Sequence, residues 1–319
     1  MKKLVMRIIA CLVLIAALPA NASSDFRVTL LGTGSPNPNA QRSGPATLVE
    51  AGGVRLLIDA GRGTSVRLWQ LGIPLSKVDV LLLTHFHSDH TVGIPDLWLT
   101  GWVDTPYGRR KTPFQVIGPV GTNRLMSGLQ QAYADDIRMR LEDEKNPPEG
   151  VQVSAAEFKS EGAVYRKDGV VVTAFEVDHG DAIKPAYGYR IEYKGKSVVI
   201  SGDTRFSENL IKHAQHADLL VHEVATVHPD ALKANPGFKR IFDHHASPQQ
   251  AGTVFTRTKP KLAAYTHLVF LPDPRFPVQT VDDVIRQTRE TYDGPLQVGA
   301  DLMSFDIGEK VEVKSFKPQ

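Results

Sequence analysis

Three of the eleven histidines in this 319-residue chain fall within six positions, in the run His85-Phe86-His87-Ser88-Asp89-His90. Few sequence features restrict a fold so tightly. The run directly follows the apolar stretch Val80–Leu83 and Thr84, so a strand delivers it to a sheet end, where side chains can converge on a ligand. In a sharp turn His85 and His87 can face one metal ion while Asp89 and His90 face another a few ångströms away. Imidazole and carboxylate donors suit zinc, and also iron or manganese. The competing reading, a solvated polar turn, requires the three histidines to have clustered by chance.

The N-terminus bounds where such a site works. Lys2, Lys3 and Arg7 precede an uncharged apolar run, Ile8 to Leu18, that ends in Pro19-Ala20-Asn21-Ala22. The run is shorter than the roughly 20 residues a membrane span needs, and the Ala-x-Ala ending predicts an export signal, residues 1–22, cut after Ala22. Residues 23–319 are then expected as one domain, periplasmic or secreted, with no membrane attachment after cleavage. Removing the signal takes away three positive charges and no negative ones, so the formal charge falls from +2 to −1. A near-neutral chain without a basic stripe predicts no nucleic-acid partner. The single cysteine, Cys11, leaves with the signal, which excludes disulfides and confines metal ligands to His, Asp and Glu.

Strands are predicted at Arg27–Leu31, Thr47–Glu50, Arg55–Ile58 and Val80–Leu83, with a helix over Thr64–Leu71. A helix-rich middle follows from Ile94 to Lys167, ending in a polar loop around Glu142–Gly150. Strands resume at Val170–Phe175, Tyr187–Tyr193, Ser197–Ile200, Leu219–Val221 and Leu262–Tyr265. Lys194-Gly195-Lys196 reads as a tight turn, and Ser247-Pro248 as a serine cap opening a helix. Each half runs from strands into helices, which fits two sheets packed face to face between helices, although a doubly wound sheet has the same periodicity.

Three later residues each follow an apolar strand: His179, Asp203 in Ser201-Gly202-Asp203-Thr204, and His267 in Tyr265-Thr266-His267. Singly, a histidine after a strand is more often a structural residue than a ligand, and Asp203 reads equally well as a turn or helix-cap residue. Together with His85–His90 they resemble the metallo-β-lactamase fold superfamily, whose His-x-His-x-Asp-His, His, Asp, His order is matched from end to end. The resemblance spans Leu31 to His267 and implies an αββα four-layer sandwich holding two zinc ions, with manganese or iron as alternatives. It implies His85, His87 and His179 on one ion, Asp89, His90 and His267 on the other, and Asp203 bridging. A histidine at position 87, where the flavodiiron branch carries an acid, points to hydrolysis.

Further segments resemble the ribonuclease Z branch: Leu31-Gly32-Thr33-Gly34-Ser35 with Pro38 and Arg42, Leu57–Thr64, Asp178-His179, Gly188–Ile191, His222-Glu223 and His245-Ala246-Ser247. By that resemblance His245, with His244 as its rival, aids the leaving oxygen, and Asp89 orients the nucleophile, a hydroxide shared by the two metals. Asp59 and His222 are expected to brace the ligands from behind, with a turn residue and a buried structural histidine as the plain alternatives. Arg42 reads as a substrate contact or as an idle surface arginine, and the aromatic residues between Trp98 and Tyr133 as a pocket wall or as core.

One departure bears on the substrate. The branch inserts its transfer-RNA-gripping arm between the second-motif histidine and the bridging aspartate, and here His179 and Asp203 are separated only by two strands and a turn. The sequence therefore predicts an exported hydrolase of small anionic esters, of arylsulfatase-like or phosphodiesterase type. Its expected partners are a small-molecule ester, no nucleic acid, and at most a second copy in a homodimer. The alternatives are a ribonuclease Z-like nuclease, a β-lactam or lactone hydrolase, and a non-catalytic metal-bearing periplasmic binding protein.

Overall fold

The computed structural model describes residues 25–317, and the expected export signal lies outside them. Among the described residues two sheets face each other. The first contains β1 (Phe26–Gly32), β2 (Ala46–Ala51), β3 (Val54–Ile58), β4 (Val80–Leu82), β5 (Phe114–Pro119), β6 (Val153–Phe158), β14 (Ser304–Ile307) and β15 (Val311–Lys314), in the order β15-β14-β1-β2-β3-β4-β5-β6. The second contains β7 (Gly162–Lys167), β8 (Val170–Glu176), β9 (Tyr187–Tyr193), β10 (Lys196–Ile200), β11 (Leu219–Val227), β12 (Leu262–Leu271) and β13 (Leu296–Val298), in the order β13-β12-β11-β10-β9-β8-β7.

Strand alternation builds the layers. Val28, Leu56, Leu82, Val172, Ile191, Val198 and Val221 point between the sheets and form the central core. Their neighbours point outward, to helices. Leu57, Leu81 and Leu83 meet α1 (Thr64–Gln70), α3 (Ile94–Thr100), α4 (Thr122–Ala132) and α5 (Ala134–Glu142), while the short α2 (Ser88–Thr91) carries the metal-site motif. Val199, Leu220 and Ala263 meet α6 (Glu208–His213), α9 (Pro248–Thr258) and α10 (Val281–Thr288). A satellite cluster seats α7 (Pro229–Ala234) and α8 (Pro236–Phe242) on the far ends of β11 and β12. Strands apolar on both faces must be covered twice, and the result is the expected four-layer αββα sandwich.

The structure departs from the sequence reading in two places and decides one alternative that it left open. The helix-rich middle also contains β5, β6 and β7; β6 and β7 are half-exposed edge strands whose sequences have neither a continuous apolar run nor a regular polar–apolar alternation. β11 and β12 run to Val227 and Leu271, well past their expected ends. Trp98 and Trp102 are fully buried, donating to the carbonyls of Val151 and Pro147, so they are core and not a pocket wall.

The docking of the metal-site motif depends on close backbone contact. Ala60 N–H donates to His90 O at 2.8 Å and Gly93 N–H to Ala60 O at 2.9 Å. A Cβ on Gly61 would sit 2.4 Å from Asp89 O, closer than real contacts allow. Gly61→Ala must therefore push the Asp89 loop outward. We expect a loss of about 1–3 kcal/mol, as for overpacked cores, together with lowered metal content. Chemical denaturation and metal analysis of the same preparation check this, and unchanged metal content would show that the loop yields elsewhere.

Candidate metal centre and active site

The site lies at the seam where loops from both sheets meet. Tyr187 N–H donates to Thr84 O at 3.0 Å and Tyr189 Oη to Leu83 O at 2.5 Å, tying the motif strand to the opposite sheet. At this seam the donor atoms of His85, His87, His179 and Asp203 lie within 4.8 Å of one another, as do those of Asp89, His90 and His267. The chain thus brings together all seven expected ligand residues. All are buried except His87, which marks the open side.

Asp203 Oδ2 is the hub, 3.3 Å from both His90 Nε2 and His267 Nε2, 3.7 Å from His179 Nε2 and 3.9 Å from His85 Nε2. Asp89 Oδ2 lies 3.2 Å from His267 Nε2. Burial disfavours the Asp203 carboxylate, yet the surrounding imidazoles, His267 and His90 foremost, hold its pKa well below the usual range. Burial likewise opposes a charge on His90, but Asp203 and Asp59 outweigh it and hold that imidazole well above its ordinary value. His85, buried beside His90, is driven well below its own, and His179 is pushed down to about 4, chiefly by burial.

The outer nitrogens set the tautomers. His90 Nδ1 meets Asp59 Oδ2 at 2.7 Å, His85 Nδ1 meets Thr84 Oγ1 at 3.0 Å, and His179 Nδ1 meets His244 O at 2.9 Å. Thr84 Oγ1 itself donates to Asp59 Oδ2, so it accepts from His85. Each Nδ1 thus carries the proton, which turns the Nε2 lone pair inward as metal ligation requires. Six of the nine buried polar atoms without a hydrogen-bond partner among the described residues belong to this cluster or to the adjoining Glu223 and His245. Buried groups are left unpaired at such cost only where something else satisfies them; two cations would do so for His85 Nε2, His90 Nε2 and Asp203 Oδ1, while His245 Nδ1 and Glu223 Oε2 face each other.

Two residues reach the site through uncommon backbone. His267 lies within β12, not after it: Glu223 pairs with Thr266 and Val224 with Leu268, which leaves His267 as an extra residue with φ +43°. Plain alternation would place it on the helix face with Ala263 and Tyr265; the bulge turns it inward. Asp59, at φ +60°, is similarly twisted at the end of β3. Such conformations cost of order 1 kcal/mol or more and persist where packing enforces them.

His245 faces the cluster, and Asp203, His245 and His267 also bring donor atoms within 4.8 Å. Its Nδ1 lies 3.2 Å from Glu223 Oε2, off the line of a well-formed hydrogen bond, so charge governs the pair. Burial works against a positive His245, but Glu223 overrides it and raises the pKa to about 9. Glu223 also accepts from Ala246 N–H, which fixes the start of α9. His244 instead lays its ring over Gly180, at φ +105°, where a Cβ would lie 2.9 Å from the imidazole. His222 does not reach the cluster. It sits on the helix face of β11, its Nδ1 against Glu223 O and its ring edge on Phe255, so the expected bracing role fails and the plain alternative holds. Sequence reading passed over Glu223, although it shares a strand face with the apolar Leu219 and Val221. Arg42 is neither idle nor directed at substrate: Nη1 donates to Thr33 Oγ1 and Gly299 O, fastening the N-terminal loop.

The Beta-lactamase superfamily domain profile matches residues 54–268, and the chain belongs to that superfamily. It is 37% identical to a ribonuclease Z of Mycolicibacterium gilvum over 281 residues, covering 87% of this chain and 94% of that one. Among solved structures it resembles the metallo-β-lactamase fold protein YhfI from Bacillus subtilis, with TM-score 0.65, 18% identity and coverage of 88% and 98%. It also resembles the short form of human tRNase Z, with TM-score 0.64, 23% identity and coverage of 88% and 99%. The chain is therefore a metal-dependent hydrolase of ester bonds with a binuclear metal site, not a non-catalytic binding protein. The curated relative overturns the expected partners: it is named a ribonuclease, which conflicts with a small-molecule ester substrate and no nucleic acid.

Asp59→Ala releases the Nδ1 lock on His90 and the anchor of Thr84. Residues that orient ligands in this way typically contribute 10–100-fold to metal affinity, and a loss of about that size is expected. Competition with a chromogenic chelator measures it, and unchanged affinity would show that Asp59 does not set the ligand's tautomer.

Proposed function

We propose that this chain is a ribonuclease Z-like phosphodiesterase that cleaves RNA with two zinc ions. The observation that supports it best is the pairing, in one seam, of a seven-residue two-ion donor set with a His245–Glu223 pair at 3.2 Å. In our reading His85, His87 and His179 would hold one ion, Asp89, His90 and His267 the other, and Asp203 would serve both. Nitrogen-rich sites with carboxylates suit zinc. Bound zinc would supply Lewis acidity, acidifying water near neutral pH and neutralising charge that develops on the phosphate.

The protein's own groups perform the proton work. Asp89, which His267 and His90 keep ionised despite burial, can orient the attacking water and take its proton. Glu223, 3.2 Å from His245 Nδ1, favours the protonated imidazole and steadies its charge, so His245 can donate to the departing ribose oxygen. The exposed edge at His87 admits the phosphate. Export through residues 1–22 belongs to the same proposal and sets the RNA outside the cytoplasm; cell fractionation with an epitope-tagged chain tests it.

Asp203→Ala should lower both metal content and turnover by orders of magnitude, and full occupancy in that variant would remove the bridging assignment. His245→Ala and Glu223→Gln should keep their metals and lose about 10²–10⁴-fold in oligoribonucleotide cleavage, the usual range for a lost general acid. Both should lose far less on bis(p-nitrophenyl) phosphate, whose leaving group departs without a proton. Equal losses on the two substrates would exclude the acid role.

A further inference from the structure

A grip on RNA must lie somewhere if the arm is missing. Two cavities of about 450 and 460 Å³ lie on the first sheet's outer side. They share Leu71, Gly72, Phe316 and Lys317 and therefore form one groove. One end holds Arg27, Arg55 and Lys314, and the other holds Trp69 and Tyr107. Asp306 serves both Arg27 and Lys314, and Glu50 serves Arg55, so with exposed Lys317 four cationic groups meet two carboxylates. Trp69 is 55% exposed, and its ring lies 6.3 Å from that of Tyr107, tilted by 55°. A large aromatic left this open, beside uncompensated positive charge, is unusual for a residue that serves only packing.

The groove also connects to the catalytic seam. α1 begins against the motif, because Gly61 abuts Asp89 O and Arg62 O accepts from Gly44 N–H. Within α1, Val66 and Trp69 are both exposed and lie one turn apart, on a face that ends at the groove-lining Trp69. Seven residues of helix advance about 10 Å, a span of a few nucleotides. The other flank is less favourable to a polyanion, since Glu161, Glu176, Asp178 and Asp181 outnumber Lys184 and Arg205 around a cavity of about 680 Å³ beside His179. Charge therefore steers a strand toward α1 and away from that flank.

Building on the RNA-cleaving reading above, we propose that single-stranded RNA leaving the metal centre runs along the outer face of α1 and seats in this groove. One base stacks on Trp69 and Tyr107, and the neighbouring phosphates meet Lys317, Lys314 and Arg55. Aromatic stacking combined with a cationic track is the general chemistry of single-strand binding and carries little sequence preference.

Trp69 supplies its own signal, because Trp98 and Trp102 are fully buried. Rapid mixing of zinc-loaded enzyme with a single-stranded 12-mer oligoribonucleotide should quench tryptophan fluorescence before turnover, and Trp69→Leu should abolish the quench. Trp69→Leu should raise KM for the 12-mer about tenfold, the size of one base–aromatic stack, and Lys317→Glu should raise it as well, with kcat and bis(p-nitrophenyl) phosphate kinetics unchanged in both. Lys317→Glu should also flatten the salt dependence of KM. Unchanged KM in both variants overturns the groove assignment. So does a Trp69→Leu change confined to oligomer mass by light scattering, which would make this face a self-association surface. A wild-type enzyme that cleaves no RNA yet shows the quench would sink the catalytic reading and leave the groove standing; no quench and no cleavage would sink both.

Discussion

A single buried carboxylate organises this molecule. Asp203 Oδ2 stands 3.3–3.9 Å from four imidazoles delivered by different parts of the chain: His85 and His90 from the first sheet, and His179 and His267 from the second. An ionised carboxylate in a dry seam is costly unless paired, and its partners here are themselves costly to bury. The two sheets therefore share one electrostatic problem, which neither half solves alone. Cations bound among these donors would solve it, so folding and metal binding should be thermodynamically linked through this residue. The cross-sheet bonds from Tyr187 and Tyr189 to the motif strand hold the seam at the spacing such pairing needs.

What the sequence made legible follows from the range of each signal. The His85–His90 run is local, and its ligand pattern can be read without knowing the fold. The strands around it were found because apolar residues on both faces leave continuous runs such as Val80–Leu83. Edge strands β6 and β7 are half solvated and carry no such run. The choice between His222 and Glu223 turned on strand parity. Leu219 and Val221 face the core, so Glu223 follows them toward the site and His222 must face the helices. That inference was available in the sequence. The placement of His267 was not, because parity alone sends it to the wrong face and only the bulge at Glu223 and Val224 corrects it. A bulge is a property of two paired strands, and one strand's sequence does not contain it.

The substrate error has a different origin. The short spacing between His179 and Asp203 is real, and β9 and β10 fill it. A missing grip does not by itself exclude an RNA substrate. Net charge misled in the same direction, since a chain near neutrality can still separate its charges. Glu161, Glu176, Asp178 and Asp181 gather on one flank of the seam and Arg27, Arg55, Lys314 and Lys317 in one groove. A polyanion responds to that local arrangement and not to the total, because fields from exposed charges fade within about 10 Å at ordinary salt.

α1 makes this separation of charge mechanically useful. Its first turn is fixed to the catalytic loop through Gly61 and Asp89, where there is no room for a Cβ, and its last turn carries Trp69. Arg67, between them, is bound to Asp301, which also accepts from Thr33 and Ser43 and so ties α1 to the loop that Arg42 fastens. A helix held at both of these points is coupled to the metal-site motif. A base held at Trp69 would then fix, through the helix, how far along the strand the scissile phosphate lies, and the position of cleavage would be set by a ruler built into the fold and not by base-specific contacts at the metal centre.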